Sequence, residues 1–400
     1  MNFTQEQIKE ILQDIANGKD GFNEIMKMSL DVLMVSERKL HQQETGDYAN
    51  GYRPRVIKGL GKEIALSVPR TRNGEFYPVL LGILRDEDTE RNKLIVSLYQ
   101  KGLTTAQIGD IYQEVYGKHY SKSHVSFLMQ DSREEINVWL KRSLDSHYLV
   151  IYIDATFVST RRDKSVSKEA YYSIIGIKED GTREVLAVVN HPTEGAGLWQ
   201  IEFEELKNRG LESVGLVVSD GLTSIENAFA KVFAGTPHQL CVVHFKRNIT
   251  ALFPSKLKQQ INDELKEVFR LESSTDTPLD GFNRLQIFVD NWIAKYPSLK
   301  SYRNERNIYY FNYTKFPASI QRMIYSTNWI ERLNRDYKRT LKMRGAMPSP
   351  ESVIFLMGSV AMEKTYGCYK YKIPSFCEIE MLKQIKTNIK SGLSPSSPNF

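Results

Sequence analysis

The stretch YLVIYIDATFV, residues 148–158, constrains the fold more than any other part of this 400-residue chain. It is a near-continuous apolar run broken by one acid, Asp154. Such a run lacks the in–out alternation of a half-solvated strand, so it reads as a strand covered on both faces. Two more β-leaning runs follow, AYYSIIGI and EVLAVVN, with Gly181 in the turn between them. A helix over residues 198–209 comes next, then the strand VGLVV, a helix after Gly221 and a last strand, HQLCVVH. This order predicts an α/β fold, a mixed sheet flanked by helices.

Asp154 is the first candidate for chemistry. A charge inside an apolar strand costs several kcal/mol (roughly 2–7 for a polar group without a partner) unless it is paired, protonated or metal-bound. It is either a satisfied structural carboxylate or a functional one. Asp220 follows VGLVV at the carboxyl end of another strand, where ligands gather in open sheets. Its competing role is to cap the helix beginning near Leu222. Glu331 lies on a third element, the helix expected in STNWIERLNRDYKRTLKMRGAMP, with a Ser326/Thr327 cap and a stop near Gly345 and Pro348. Between Gln321 and Met347 there are seven basic residues against two acidic ones. Three-and-four spacing puts Asn328, Glu331, Arg335, Lys338 and Lys342 on one face, with Arg339 beside it. That face is either a solvated surface with a Glu331–Arg335 pair or a cationic track for DNA beside a metal-binding glutamate. Three such carboxylates can hold two divalent ions for phosphodiester transfer, and oxygen ligands favour Mg2+ or Mn2+ over zinc.

The flanking regions carry basic and helical texture. Residues 1–45 show helical spacing, and the segment MNFTQEQIKEILQDI lacks the features of a signal peptide. Two β-leaning arms then flank Gly59-Leu60-Gly61 as a hairpin. They carry Arg53, Arg55, Lys58, Lys62, Arg70 and Arg72 against Glu63 alone, a solvated face or a nucleic-acid contact. Between residues 103 and 131 two short helices meet around Gly117, the second opening with Ser121, Lys122, Ser123 and His124. The pattern is that of a helix-turn-helix, which ordinary helix pairs share. Net charge is +6, mild if spread and a polyanion surface if clustered. No run reaches 18 apolar residues, and three irregularly spaced cysteines predict a reducing cytoplasm rather than a disulfide scaffold.

IDATF, VVSDG, QLCVVHFKRN and STNWIERLN closely resemble the motifs of bacterial insertion-sequence transposases of the Mutator-like class. NGYRPR with VPRTRNGEFYP, GLTTAQI with SKSHVS, and GLWQIEFEELKNRGL match that family in the same order. The resemblance implies a ribonuclease H-like catalytic domain whose triad of two aspartates and a glutamate is split by a helical insertion. Asp154 and Asp220 match the aspartates and Glu331 the glutamate, at spacings of 66 and 111 residues. It also implies two Mg2+ or Mn2+ ions per active site, held by the same three residues, and a homodimer acting on terminal inverted repeats and target DNA.

Cys241 and His244 match a C-x2-H signature, and Trp199 a family tryptophan. A zinc site needs about four ligands, and a strand through residue 244 would point Cys241 and His244 to opposite faces. They are expected near the triad, with Asn328, in structural or DNA-contacting roles. Trp199 is expected either in the core or stacked on an unpaired base. Lys246 and Arg247 join the candidate DNA contacts. Trp329 and the sequence Ala346-Met347-Pro348 depart from the family pattern.

The expected divisions are therefore 1–85 (helices and basic hairpin, for DNA binding and dimerisation), 86–146 (helix-turn-helix-like), 147–252 (first part of the catalytic core), 253–322 (helical insertion), 323–390 (last helices of the core) and 391–400 (disordered tail). The alternatives are a nuclease or resolvase that cleaves without joining, and a DNA-binding protein without catalysis.

Overall fold

The computed structural model describes residues 4–16, 21–59, 62–116, 120–191, 196–271, 275–342 and 344–377. The hairpin turn at Leu60-Gly61, the turn at Gly117 and the 391–400 tail lie outside them. The chain divides into two compact units, residues 1–132 and 133–400.

In the first unit, helices α1 (Gln5–Ala16) and α2 (Gly21–Thr45) precede the hairpin strands β1 (Ala49–Gly59) and β2 (Lys62–Thr71). The strands pair antiparallel with Arg53 opposite Val68 and Arg55 opposite Leu66. Ile64, Leu66 and Val68 bury against Met34 and Leu81, and this apolar cluster fixes the hairpin on α2. Arg38 of α2 reaches the carbonyls of Gly51 and Arg70. Helix α3 (Val79–Gln100) leads to α4 (Thr105–Tyr116) and α5 (Lys122–Leu140), whose last turns enter the second unit. Thr104 and Gln107 form a reciprocal cap on α4, and Ser121 caps α5 by accepting the His124 amide.

The second unit is built on a five-stranded sheet of order β5-β4-β3-β6-β7. Its strands are β3 (His147–Arg162), β4 (Ser165–Ile177), β5 (Arg183–His191), β6 (Ser213–Ser219) and β7 (His238–Leu240). β3, β4 and β5 run antiparallel, while β6 and β7 continue parallel to β3. Helices α6 (Ala196–Asn208) and α7 (Thr223–Val232) pack on one face, where Trp199, Phe203, Phe229 and Phe233 form a chain of ring contacts.

Residues 242–324 form no strand among those described. α8 (Val242–Ala251), α9 (Lys258–Val268) and α10 (Pro278–Ile293) are followed by two 3-10 segments, Pro297–Arg303 and Glu305–Lys315, and by α11 (Ala318–Ile324). The second 3-10 segment clasps β7: Gln239 donates to the Tyr310 carbonyl and accepts the Tyr313 amide, and Asn312 donates to the His238 carbonyl. α12 (Asn328–Leu341) and α13 (Pro350–Tyr366) then return to the sheet, and α14 (Pro374–Cys377) follows.

One element differs from expectation. HQLCVVH is a strand for three residues only and then becomes α8. The Cys241 amide is taken by the Ser219 carbonyl and the Val242 amide by the Tyr325 carbonyl, after which the Phe245 amide returns to the Cys241 carbonyl and begins the helix. Val242, Phe245 and Ile249 are the buried residues of α8, a helical spacing that the apolar run concealed.

Candidate active site

β3 and β6 are in parallel register through Tyr152 opposite Val218. Two residues farther along each strand stand Asp154 and Asp220, so the register places them side by side where β6 stops. β3 runs on to Arg162, paired there with β4 and, past the aspartates, bridged at Thr160 to Met347. The site is thus the notch left by the shorter strand, at a strand carboxyl end. Residues two apart on a strand share a face. On the face of β3 that carries Tyr152 and Asp154, the Tyr152 hydroxyl donates to the Met323 carbonyl and Asn334 Nδ2 donates to Asp154 Oδ2 at 2.8 Å. These contacts bring α11 and α12 over the two aspartates.

Glu331 enters from the first turn of α12. The apolar stripe Ile330, Leu333, Tyr337 and Leu341 buries, which turns Glu331 to the half-buried flank and leaves Asn328, Arg335, Lys338, Arg339 and Lys342 exposed. The cation beside Glu331 is Arg247, at 3.8 Å, and not the Arg335 partner that helical spacing allowed. Trp329 supports the start of this helix: the guanidinium of Arg183 lies between its ring and that of Tyr369, at 4.8 and 4.6 Å.

The electrostatics tie the three carboxylates together. Asp154 is only 6% exposed. Burial pushes its carboxyl up to about 7, the charges of Asp220 and Glu331 push the same way, and His244 opposes them. His244 is held up to about 9, first by the Cys241 thiol beside it and then by the charges of Asp154 and Asp220. An imidazolium therefore faces a group of acids. Burial would raise the Cys241 thiol, but His244 and the Thr327 donors leave it below its ordinary value. Cys241 is the extended cap residue before α8 and His244 lies in its first turn, and their mutual influence places both on the same side rather than opposite ones.

Asp220 does not cap α7. That helix begins at Thr223 behind Leu222, which gives no side-chain cap. Asp220 Oδ1 accepts a long, 3.4 Å bond from the Leu222 amide. The turn is held from outside: Gly221 has φ +91°, and its carbonyl accepts from Arg306 at 2.5 Å while Arg306 also pairs with Glu226. Thr327 is the cap residue of α12 as expected, but its hydroxyl donates to Cys241 Sγ instead of capping.

Among the described residues no three His, Cys, Asp or Glu side chains stand close enough to enclose an ion as they are. The donor set nonetheless suits Mg2+ or Mn2+. It is all oxygen and acidic, Asp154 carries a burial penalty that a cation would relieve, and Asn334 Oδ1 is a buried acceptor with no donor, which an ion's water shell can supply. Among the described residues, Cys241 and His244 have no further ligands with which to hold zinc.

The other expected residues are placed as follows. Lys246 is half-buried against the Phe269 ring, and burial lowers its amine to about 8. With Arg247, Thr250, Lys258 and Asn262 it lines a cavity of about 460 Å3 between α8 and α9. Arg53, Arg70, Arg72, Ser121, Lys122, Ser123 and His124 are exposed in the first unit, and Arg55 partly so. Trp199 is a correction. It is 0% exposed and packed among Tyr172, His191 and Phe203, with no ring face open to a base. Asn334 and Arg306 were missed by sequence reasoning, as was the bond of the expected cap Thr327 to Cys241. For Asn334 a signal existed, a polar residue on the buried stripe of α12; Arg306 gave none.

Comparison with known proteins identifies the family of the chain. Residues 3–370 match the model of the "Transposase, Mutator family". The chain is 32% identical over 310 residues to the transposase for insertion sequence element IS905 of Lactococcus lactis, covering 77% of this chain and 78% of that one. It is 31% identical over 366 residues to the transposase for IS1201 of Lactobacillus helveticus, with 90% and 96% covered. With the transposase for IS256 in transposon Tn4001 of Staphylococcus aureus it shares 30% over 358 residues, with 88% and 90% covered. The chain belongs to the Mutator family of transposases.

Proposed function

We propose that the protein is an insertion-sequence DNA transposase with a ribonuclease H-like core, whose triad is Asp154, Asp220 and Glu331. The observation that carries this reading is the matched register of Asp154 and Asp220 at the notch beside β6, with Glu331 brought over it by α12. In this reading the protein binds terminal inverted repeats as a homodimer. Water attacks a phosphodiester at phosphorus and the 3′-oxygen leaves, giving a 5′-phosphate and a free 3′-OH. That 3′-OH then attacks a phosphodiester of target DNA and expels its 3′-oxygen, so one bond forms for each that breaks.

Two Mg2+ or Mn2+ ions held by the triad would lower the pKa of the attacking oxygen and offset charge on the leaving one. The chain's own residues do the rest. Asn334 fixes the orientation of the Asp154 carboxylate. His244 and Arg247 place positive charge beside the acids, where a phosphate must approach. Lys246 and the exposed Arg335, Lys338, Arg339 and Lys342 extend that charge along α8 and α12, and the basic hairpin and the α4–α5 pair offer further DNA contacts.

The test is transfer of a labelled element end into plasmid in Mg2+ or Mn2+. Joined product supports the reading. Cleavage without joining favours a nuclease or resolvase, and binding without cleavage a DNA-binding protein alone.

A further inference from the structure

Cys241 makes contacts that the chemistry above does not use. Its amide donates to the Ser219 carbonyl at 2.8 Å, next to Asp220 at the end of β6. Its Sγ accepts from both the amide and the hydroxyl of Thr327, each at 3.4 Å. Thr327 is the residue on which α12 starts, and its carbonyl accepts the amides of Ile330 and Glu331. The next residue repeats the tie, the Val242 amide donating to the Tyr325 carbonyl at 2.9 Å. Cys241 and Thr327 are both fully buried.

We propose that Cys241 is a positioning residue: a joint that fixes the helix carrying Glu331 against the strand end carrying Asp220. The need for it follows from the chain path. Cys241 and Thr327 are 86 residues apart, and the whole helical segment 242–324 lies between them. Without a tie at its two ends, motion in that segment would pass directly into the Glu331–Asp220 separation. Cys241 closes the excursion at its base, so α12 takes its position from β6 rather than from the segment. A side-chain acceptor that receives two donors suits the place, because removing it strands the buried Thr327 amide and hydroxyl together. Sulfur, with its longer reach, sets the spacing. His244, one turn on, then stands beside Asp154 and Asp220 as a consequence of the same joint.

The inference rests on the triad reading for its link to metal, but its first measurement does not. Hydrogen exchange by mass spectrometry on full-length, metal-free Cys241→Ala is expected to show at least about tenfold faster exchange in peptides covering 325–331, with the sheet core and α13 unchanged. Mn2+ titration followed by electron paramagnetic resonance is expected to show about tenfold weaker binding in Cys241→Ala. Cys241→Ser, which keeps an acceptor on a shorter arm, is expected to recover most of both effects.

Unchanged exchange at 325–331 in Cys241→Ala overturns the joint. Faster exchange with unaltered Mn2+ affinity reduces Cys241 to a packing residue and overturns its positioning role. If Cys241→Ala does not fold, Thr327→Val removes one of the two donors and is expected to give a partial version of both shifts; no shift in either overturns the proposal. Failure of the triad reading looks different, because wild-type protein would then bind no Mn2+ while the exchange result stood.

Discussion

The acid notch of the second unit and the basic hairpin of the first are built on opposite principles. At the notch, a carboxyl that burial drives up to about 7 is held by an amide 180 residues away, beside a strand end clasped by Arg306 and Cys241. On the hairpin Arg53, Arg70 and Arg72 stand in solvent and Arg55 partly so, while Ile64, Leu66 and Val68 form its buried apolar side. Precise placement of charge needs burial and partners, whereas attraction of a polyanion needs only charge that can reach it. The difference divides the work: the notch would set the rate of the chemical step, the hairpin the occupancy of DNA.

Substitution at the notch is expected to have the largest effect. Asp154→Asn or Asp220→Asn should lower single-turnover cleavage at saturating DNA by at least about a thousandfold while leaving end binding in a mobility-shift assay within about twofold. Loss of binding alongside loss of chemistry would break the division. Asn334→Leu keeps the volume but removes the amide on Asp154, and should cost about 10–100-fold in cleavage, recovered in part at high Mn2+. On the hairpin, Arg53→Ala and Arg55→Ala should each reduce the salt slope of end binding by about one phosphate contact. Cleavage at saturating DNA should not change, and a fall there would give the hairpin a part in chemistry.

The smallest expected effect is on stability. Asp154 binds its proton in the folded state up to about pH 7 but in the unfolded chain only to its ordinary value of 3.8. Folded protein therefore holds more protons between these values, and metal-free stability falls as pH rises through that window. Metal binding requires the ionised form, so the rise in Tm on adding Mg2+ should be larger at pH 8 than at pH 6, by about 3 °C for each kcal/mol involved. Asp154→Asn should remove both dependences in a thermal melt.

What the sequence disclosed follows the same contrast. A lone acid in YLVIYIDATFV announces itself because burying charge is costly, and Asp220 is legible from its place after VGLVV. The cap alternative for Asp220 failed on a one-residue matter, the start of α7 at Thr223. HQLCVVH misled because a short apolar run does not separate strand from helix, and the error put Cys241 and His244 on opposite faces. Asn334, Thr327 and Arg306 act through partners 180, 86 and 80 residues away, and no local pattern reveals such pairings. Trp199 was legible as an aromatic on a helix, while its side was decided by Tyr172, His191 and Phe203 around it.

The central claim is that Asp154, Asp220 and Glu331 form one metal site. Its most direct test replaces Mg2+ with Fe2+ and maps the hydroxyl-radical cuts made in the protein backbone. The account predicts cuts clustered near residues 154, 220 and 331, all suppressed together by excess Mg2+. Cuts confined elsewhere, or cuts at the aspartates with none at residue 331, would contradict it.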